Sequence, residues 1–125
     1  TALRVERLEQ RVTEEQTAAL RAMIPQVEVT DDVANYLMDL IQATRSDSRV
    51  RIGVSTRGAL ALYRASQAFA ALQGRPYVVP EDIKKLAPCV LAHRLTTGSS
   101  VKRGEDLMLI RELVEKIPVP LEEVR

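Results

Sequence analysis

Apolar residues recur along this chain in two rhythms. Over Val33, Tyr36, Leu37, Leu40, Ile41 and Thr44 they fall at steps of three and four, which gathers side chains on one face of an α-helix. The same rhythm returns in Ile83, Leu86, Ala87, Val90 and Leu91, and again in Leu107, Ile110, Leu113, Val114 and Ile117. Between these stripes, the run from Ala59 to Leu72 is apolar nearly all round and rich in alanine, so it reads as a central helix that neighbours approach closely. The second rhythm is strict alternation: Val27 and Val29 flank Glu28, and Val50, Ile52 and Val54 alternate with Arg51 and Gly53. Both stretches are short and predict extended links laid against the core.

Local chemistry sets the boundaries. Thr13-Glu14-Glu15-Gln16 has the form of a capping box, predicting a first helix as far as about Met23, with Pro25 stopping it. Thr30 followed by Asp31 and Asp32 caps a second helix that runs to Arg45. Ser55 or Thr56 caps the third, which ends at Gln73 before Gly74. Pro80 with Glu81 and Asp82 opens a fourth, which Pro88 is expected to bend, and a fifth runs from about Glu105 to just before Pro118. The reading is an all-α small helical bundle of about five helices with short extended links, occupying residues 13–120. Leu37, Leu40, Ile41, Leu62, Phe69, Leu86, Val90, Ile110 and Leu113 are its expected core.

Composition narrows the function classes. A chain of 125 residues, 46% hydrophobic and 28% charged, builds one core and not two. Eighteen Lys and Arg against seventeen Asp and Glu leave a formal charge of +1, so no global field draws the chain to nucleic acid or to an anionic membrane. No apolar stretch approaches the roughly 20 residues of a membrane span. The single cysteine, Cys89, allows no internal disulfide, and the start has no secretion-signal pattern, which points to a reducing, cytoplasmic setting. Thr1 in place of Met points to a piece of a longer protein.

Three groupings of chemically able residues stand out. Gly53-Val-Ser-Thr-Arg-Gly58 has the glycine spacing of a phosphate-binding P-loop, but Ala59-Leu60 follow where Lys and Ser or Thr are required. It is a loop feeding a helix. Within it, Arg57 sits in a first helical turn, where a cation opposes the helix dipole; a local salt bridge is the ordinary fate of such a residue, and a functional contact is the other. Cys89 and His93 lie four apart on one helix, close enough for a thiolate–imidazole pair or two metal ligands, yet the chain has no other Cys or His, so a packed thiol and a hydrogen-bonded histidine are expected and no metal site. Arg45, Arg49, Arg51, Arg57 and Arg64 form a basic run diluted by Asp47 and poor in aromatics, more in keeping with a solvated face than with a nucleic-acid surface.

In order along the chain, Ala43-Thr44-Arg45, Gly53-Val-Ser-Thr-Arg57, the alanine-rich helix, Gly74-Arg75-Pro76-Tyr77-Val78-Val79-Pro80-Glu81-Asp82 and Val90-Leu91-Ala92-His93-Arg94-Leu95 resemble the C-terminal lid of MoxR-family AAA+ ATPases. The match covers about residues 12–120, with the Gly-x-Ser-x-Arg and His-Arg segments its most specific parts. The resemblance implies that Arg57 is the sensor-2 arginine, reaching from the lid to nucleotide phosphates with Ser55 and Thr56 beside it; Val54 and Thr56 stand where the family has Ala and Pro. It implies further an α/β core, outside these residues, that carries the P-loop and binds ATP and Mg2+. Residues 1–12 would link to that core, and residues 121–125 would be a tail. The intact protein would then be a ring-forming, chaperone-like ATPase remodelling client proteins, often with partners that hold a von Willebrand A domain. The isolated piece should bind no cofactor tightly and hydrolyse no ATP. The alternatives are a free-standing helical adaptor that uses the Arg45–Arg64 face and, ranked last, a Cys–His hydrolase.

Overall fold

Three of the five helices of the computed structural model, which describes residues 5–97 and 104–120, start at a side chain that accepts a backbone N–H group from the first turn. Helix α1 (Glu14–Met23) has the full capping box: the Gln16 N–H donates to Thr13 Oγ1 at 3.1 Å, and the Thr13 N–H donates to Gln16 Oε1 at 2.9 Å. Thr30 caps α2 (Asp31–Ser46) and Ser55 caps α3 (Thr56–Leu72), each accepting from the N–H three residues on. At α4 (Pro80–Leu91) the Asp82 carboxylate accepts from the Val79 N–H at 3.0 Å, while Pro80 contributes no donor to be satisfied. Helix α5 (Glu105–Lys116) follows Gly104, whose φ of 98° lies in the left-handed region that glycine adopts without strain. Gly74, at φ 76°, ends the turn after α3 in the same way.

The extended links predicted from alternation are present and short. Strand β1 (Val50–Ile52) pairs antiparallel with β2 (Thr96–Thr97), Val50 opposite Thr97 and Ile52 opposite Thr96. Glu28 makes an isolated parallel bridge with Tyr77, its N–H donating to Pro76 O at 2.8 Å and its carbonyl accepting from Val78 N at 2.9 Å. That bridge fastens the segment before α2 to the segment before α4. The buried Gln67 side chain, from the middle of α3, donates to Val27 O at 2.9 Å and ties the same segment to the central helix.

The core lies between α2, α3, α4 and α5. Leu40, Ile41, Val54, Leu62, Ile83, Leu91 and Ile110 are fully enclosed, with Tyr36 among them. Of the expected core, Leu37, Leu40, Ile41, Leu62, Ile110 and Leu113 are buried, whereas Phe69, Leu86 and Val90 are only half-buried at the margin. Phe69 turns one ring face outward, where the Lys85 ammonium stands 5.1 Å from the ring centre, a cation–π contact that suits a ring at the edge of the α3–α4 seam. Leu60 and Leu72 are exposed as well, so the helix that reads as apolar all round still presents one face to solvent. Ile52 alternates outward and is exposed, leaving Val54 to fill the core from that loop. All five expected helices form, and α1, which buries no residue and leaves Leu20 and Met23 exposed, lies at the margin of the bundle.

Buried polar groups are mostly tied. Asp82, 2% exposed, receives two hydrogen bonds from the Arg75 guanidinium at 2.6 and 2.8 Å, besides the one from Val79 N. Such a pair ties the short 73–79 connection to α4, because removing Arg75 would strand the buried Asp82 charge. The Tyr36 hydroxyl has no hydrogen-bond partner among the described residues. Burial, with Glu81 and Glu115 adding to it, pushes the Tyr36 phenol up to about 12.

Two expectations follow for stability. Leu62→Ala should lower unfolding free energy by about 2–5 kcal/mol, whereas Phe69→Ala should cost less, about 1–3 kcal/mol, because part of its ring is already in water. Urea denaturation checks the order; a Phe69 loss larger than that of Leu62 would contradict the burial seen here. Tyr36→Phe deletes a hydroxyl that makes no hydrogen bond among the described residues and should leave the melting temperature at pH 7 unchanged or higher. A raised phenol pKa contributes stability that is whole below pH 10 and is lost as pH climbs from 10 through 12. Melting curves at successive pH values should therefore fall more steeply over that window for the parent than for Tyr36→Phe.

Candidate functional site

The residues around Arg57 are assembled from the end of α2 forward. Thr44, fully buried, donates its hydroxyl proton to Ile41 O at 2.6 Å and accepts from the Val54 N–H at 3.1 Å. Arg45 Nε donates to Val54 O at 2.9 Å. Both backbone groups of Val54 are thus held by adjacent residues of α2, and its side chain is sealed in the core. Gly53 lies so close to α2 that a Cβ there would stand 2.6 Å from Arg45 Cγ and 2.8 Å from Arg45 Cα. Ser55 then caps α3, its Oγ accepting from the Gly58 N–H at 3.3 Å.

Ser55, Thr56 and Arg57 follow as three exposed residues at the mouth of α3. Gly58 behind them is buried, and a Cβ on it would meet Val54 Cγ1 at 2.5 Å and Arg94 Cδ at 3.3 Å. The two glycines that mimic P-loop spacing have a packing reason: each lies where another segment passes too close for a side chain.

Arg57 makes no ion pair or hydrogen bond among the described residues. Its helix is distinctive electrostatically. Helices α1, α2, α4 and α5 each place two acids in the first turn, Glu14 and Glu15, Asp31 and Asp32, Glu81 and Asp82, Glu105 and Asp106; α3 places none. The positive end of the α3 dipole is therefore reinforced by a guanidinium where its neighbours are neutralised. The salt bridge that would make Arg57 an ordinary surface residue does not form among the described residues.

The broader basic run comes apart. Arg49 pairs with Asp47 at 2.9 Å and Glu112 at 2.6 Å, binding the loop before β1 to α5, and the Arg49 guanidinium holds the Asp47 carboxyl down at about 2. Arg45 is committed to Val54. Only Arg51, Arg57 and Arg64 of the five stand exposed without such ties among the described residues. Cys89 is exposed rather than packed, because it projects from the outer side of α4. His93 is exposed in the 3₁₀ turn Ala92–Arg94, with no hydrogen bond to Cys89 or to any other described group. The expected hydrogen-bonded histidine and packed thiol are both corrected by this exposure. Among the described residues no group of three or more His, Cys, Asp or Glu could hold a metal ion.

Residues 42–117, which include the whole α2–α3 junction and the 3₁₀ turn, match the family described as the AAA lid domain. The chain is 35% identical over 120 residues to the uncharacterized protein YeaC of Bacillus subtilis, covering 94% of this chain and 38% of that protein. It is 40% identical over 77 residues to the protein MoxR of Methylorubrum extorquens, covering 59% and 22%, and 35% identical over 106 residues to the magnesium-chelatase 38 kDa subunit of Chlorobaculum parvum, covering 83% and 28%. A crystal structure from Cytophaga hutchinsonii, provisionally described as of an ATPase, superposes with a TM-score of 0.76 at 25% identity, over 86% of this chain and 36% of that one. The chain spans less than two-fifths of the length of each of these proteins.

The packing at Gly53 yields an expectation of its own. Gly53→Ala forces Arg45 and its backbone to move and should cost about 1–3 kcal/mol of stability, a typical cost of overpacking. A thermal melt indistinguishable from the parent would show that the loop does not press on α2.

Proposed function

This chain belongs to the AAA lid domain family as the lid of a MoxR-like AAA+ ATPase, and we propose that Arg57 is its sensor-2 residue, meeting the phosphates of ATP bound by the α/β core of the intact protein. The observation that carries this reading is the exposed guanidinium at the mouth of α3, unpaired among the described residues, on the helix that alone of the five described has no acid in its first turn. A cation there disfavours the fold slightly and favours a phosphate that comes to rest against the helix start. Ser55 and Thr56 flank the same point; Ser55 Oγ already accepts the capping bond, which leaves its own proton to donate. These residues suit contact with a triphosphate from one side and do not form a cradle, so the P-loop, the Mg2+ ligands and the attacking water belong to the core. Alone, the lid is inactive.

In the intact protein a lid cation beside the γ-phosphate stabilises charge as it develops, and nucleotide state biases the angle between lid and core. Hydrolysis in a ring of such subunits then drives chaperone-like remodelling of client proteins, with von Willebrand A domain proteins as partners. No described helix is long and apolar enough to cross a membrane, and an exposed thiol at Cys89 suits a reducing cytoplasm.

The deciding experiment separates folding from turnover in the intact ATPase. Arg57→Ala should leave the melting temperature nearly unchanged or slightly raised, since the dipole effect is worth about 0.3–1 kcal/mol. Turnover should fall on the order of 10²-fold, the usual loss for one well-placed charge-stabilising donor. Arg57→Lys should restore only part of it, because an ammonium lacks the planar fork. Arg64→Ala, exposed on the same helix, is the control. Normal turnover in Arg57→Ala, or equal damage from Arg64→Ala, would remove the sensor assignment.

A further inference from the structure

The 3₁₀ turn Ala92–Arg94 brings a second arginine to the start of α3, and nothing in the sequence spacing announces it, because Arg57 and Arg94 are far apart along the chain. The contact is intimate. Arg94 Cδ lies 3.3 Å, and its Cβ 3.9 Å, from the point where a Gly58 Cβ would stand. Its aliphatic stem therefore runs across the first turn of α3, through space that exists only because residue 58 has no side chain. Arg94 Nε donates to Val90 O at 3.1 Å, which fixes the plane of the guanidinium and leaves its two terminal nitrogens unused among the described residues. No acidic side chain pairs with it among the described residues, and the residue is exposed.

We infer that Arg94 is a second cation facing the nucleotide phosphates, held beside Arg57 by the gap at Gly58. This rests on the reading that the mouth of α3 faces bound ATP. Arg57 opposes the dipole of α3, and the Arg94 stem, with its Nε held by Val90 O, brings a second positive charge to the same helix end, with no ion pair to either arginine among the described residues. For the isolated domain that is an unfavourable arrangement; opposite a triphosphate all three positive elements act in the same direction. The glycine is part of it, since glycine weakens a helix relative to alanine. At Gly58 that weakness makes room for Arg94. The roles differ: Arg57 extends freely from the helix start, whereas Arg94 is anchored by Nε and contributes a fixed charge, felt in binding more than in the chemical step.

The experiment measures binding of a non-hydrolysable ATP analogue, and separately ATP turnover, in the intact ATPase carrying Arg94→Ala, Arg94→Met or Arg57→Ala. Arg94→Met keeps the stem over Gly58 and removes only the charge, so its melting temperature should match the parent. Both Arg94 variants should bind the analogue about 10-fold or more weakly, the scale of one charge-assisted hydrogen bond, and the difference from the parent should shrink as salt rises. Maximal turnover at saturating ATP should fall less than in Arg57→Ala. If Arg94→Met binds like the parent, whether or not Arg94→Ala is impaired, the arginine is a packing stem and the inference is overturned. Weak binding in both Arg94 variants alongside normal turnover in Arg57→Ala would support the second cation while removing the sensor role of Arg57.

Discussion

Everything at the working end of this lid depends on how Val54 is held. Its N–H is bonded to Thr44, its carbonyl to Arg45, and its side chain is enclosed by the core. A loop of some ten residues thereby ends on one immobilised residue, immediately before the cap of α3. A free loop would leave the direction of the next helix to chance; a residue clamped by two consecutive positions of α2 makes the α3 axis a rigid extension of α2. The net worth of each bond is modest, about 0.5–1.5 kcal/mol, but together with the close approach at Gly53 they leave little room for the loop to choose another path.

Charge placement divides the same helices by purpose. Four first turns are neutralised by paired acids, which is what a helix selected only for stability would show. The fifth leaves its positive end bare and adds arginine. Two arginines elsewhere are consumed internally: Arg75 in the buried contact with Asp82, Arg49 in the bridge from Asp47 to Glu112. At the mouth of α3 a cation without a described partner therefore stands where no first-turn acid offsets it, and that is where a phosphate is proposed to arrive.

Much of this was legible from residue order because helix starts and ends are local chemistry. The Thr13 box, the Thr30 and Ser55 caps, Pro80 and Gly74 each act within a few residues, and their helices lie where those signals put them. Burial is a property of the assembly, and there local reading fell short. Phe69 belongs to the apolar stripe by composition, yet the α3–α4 crossing leaves its ring at a margin shared with Lys85. Helix α1 has a sound cap and apolar residues, yet none of its residues is buried. At the candidate site, Arg57 could be singled out by its clash with the dipole. The neighbourhood of Gly58 could not: the proximity of Arg94 arises from the packing of the 3₁₀ turn against α3, a relation between distant segments that no spacing rule encodes.

Helix α3 is also a mechanical part. Seventeen residues at the helical rise make a rod about 25 Å long. Its first turn holds Arg57, and past its midpoint Gln67 grips Val27, the residue through which α1 joins the bundle. Because α1 buries nothing of its own, its direction is inherited from that grip and not from the core. A turn of the whole domain by about 10° about the start of such a rod would carry the far end about 4 Å. The domain would in this sense act as a lever: because α3 is fixed to α2 and packed on α4, a small change of angle at the Arg57 end would reach the Val27 end as travel of the whole body.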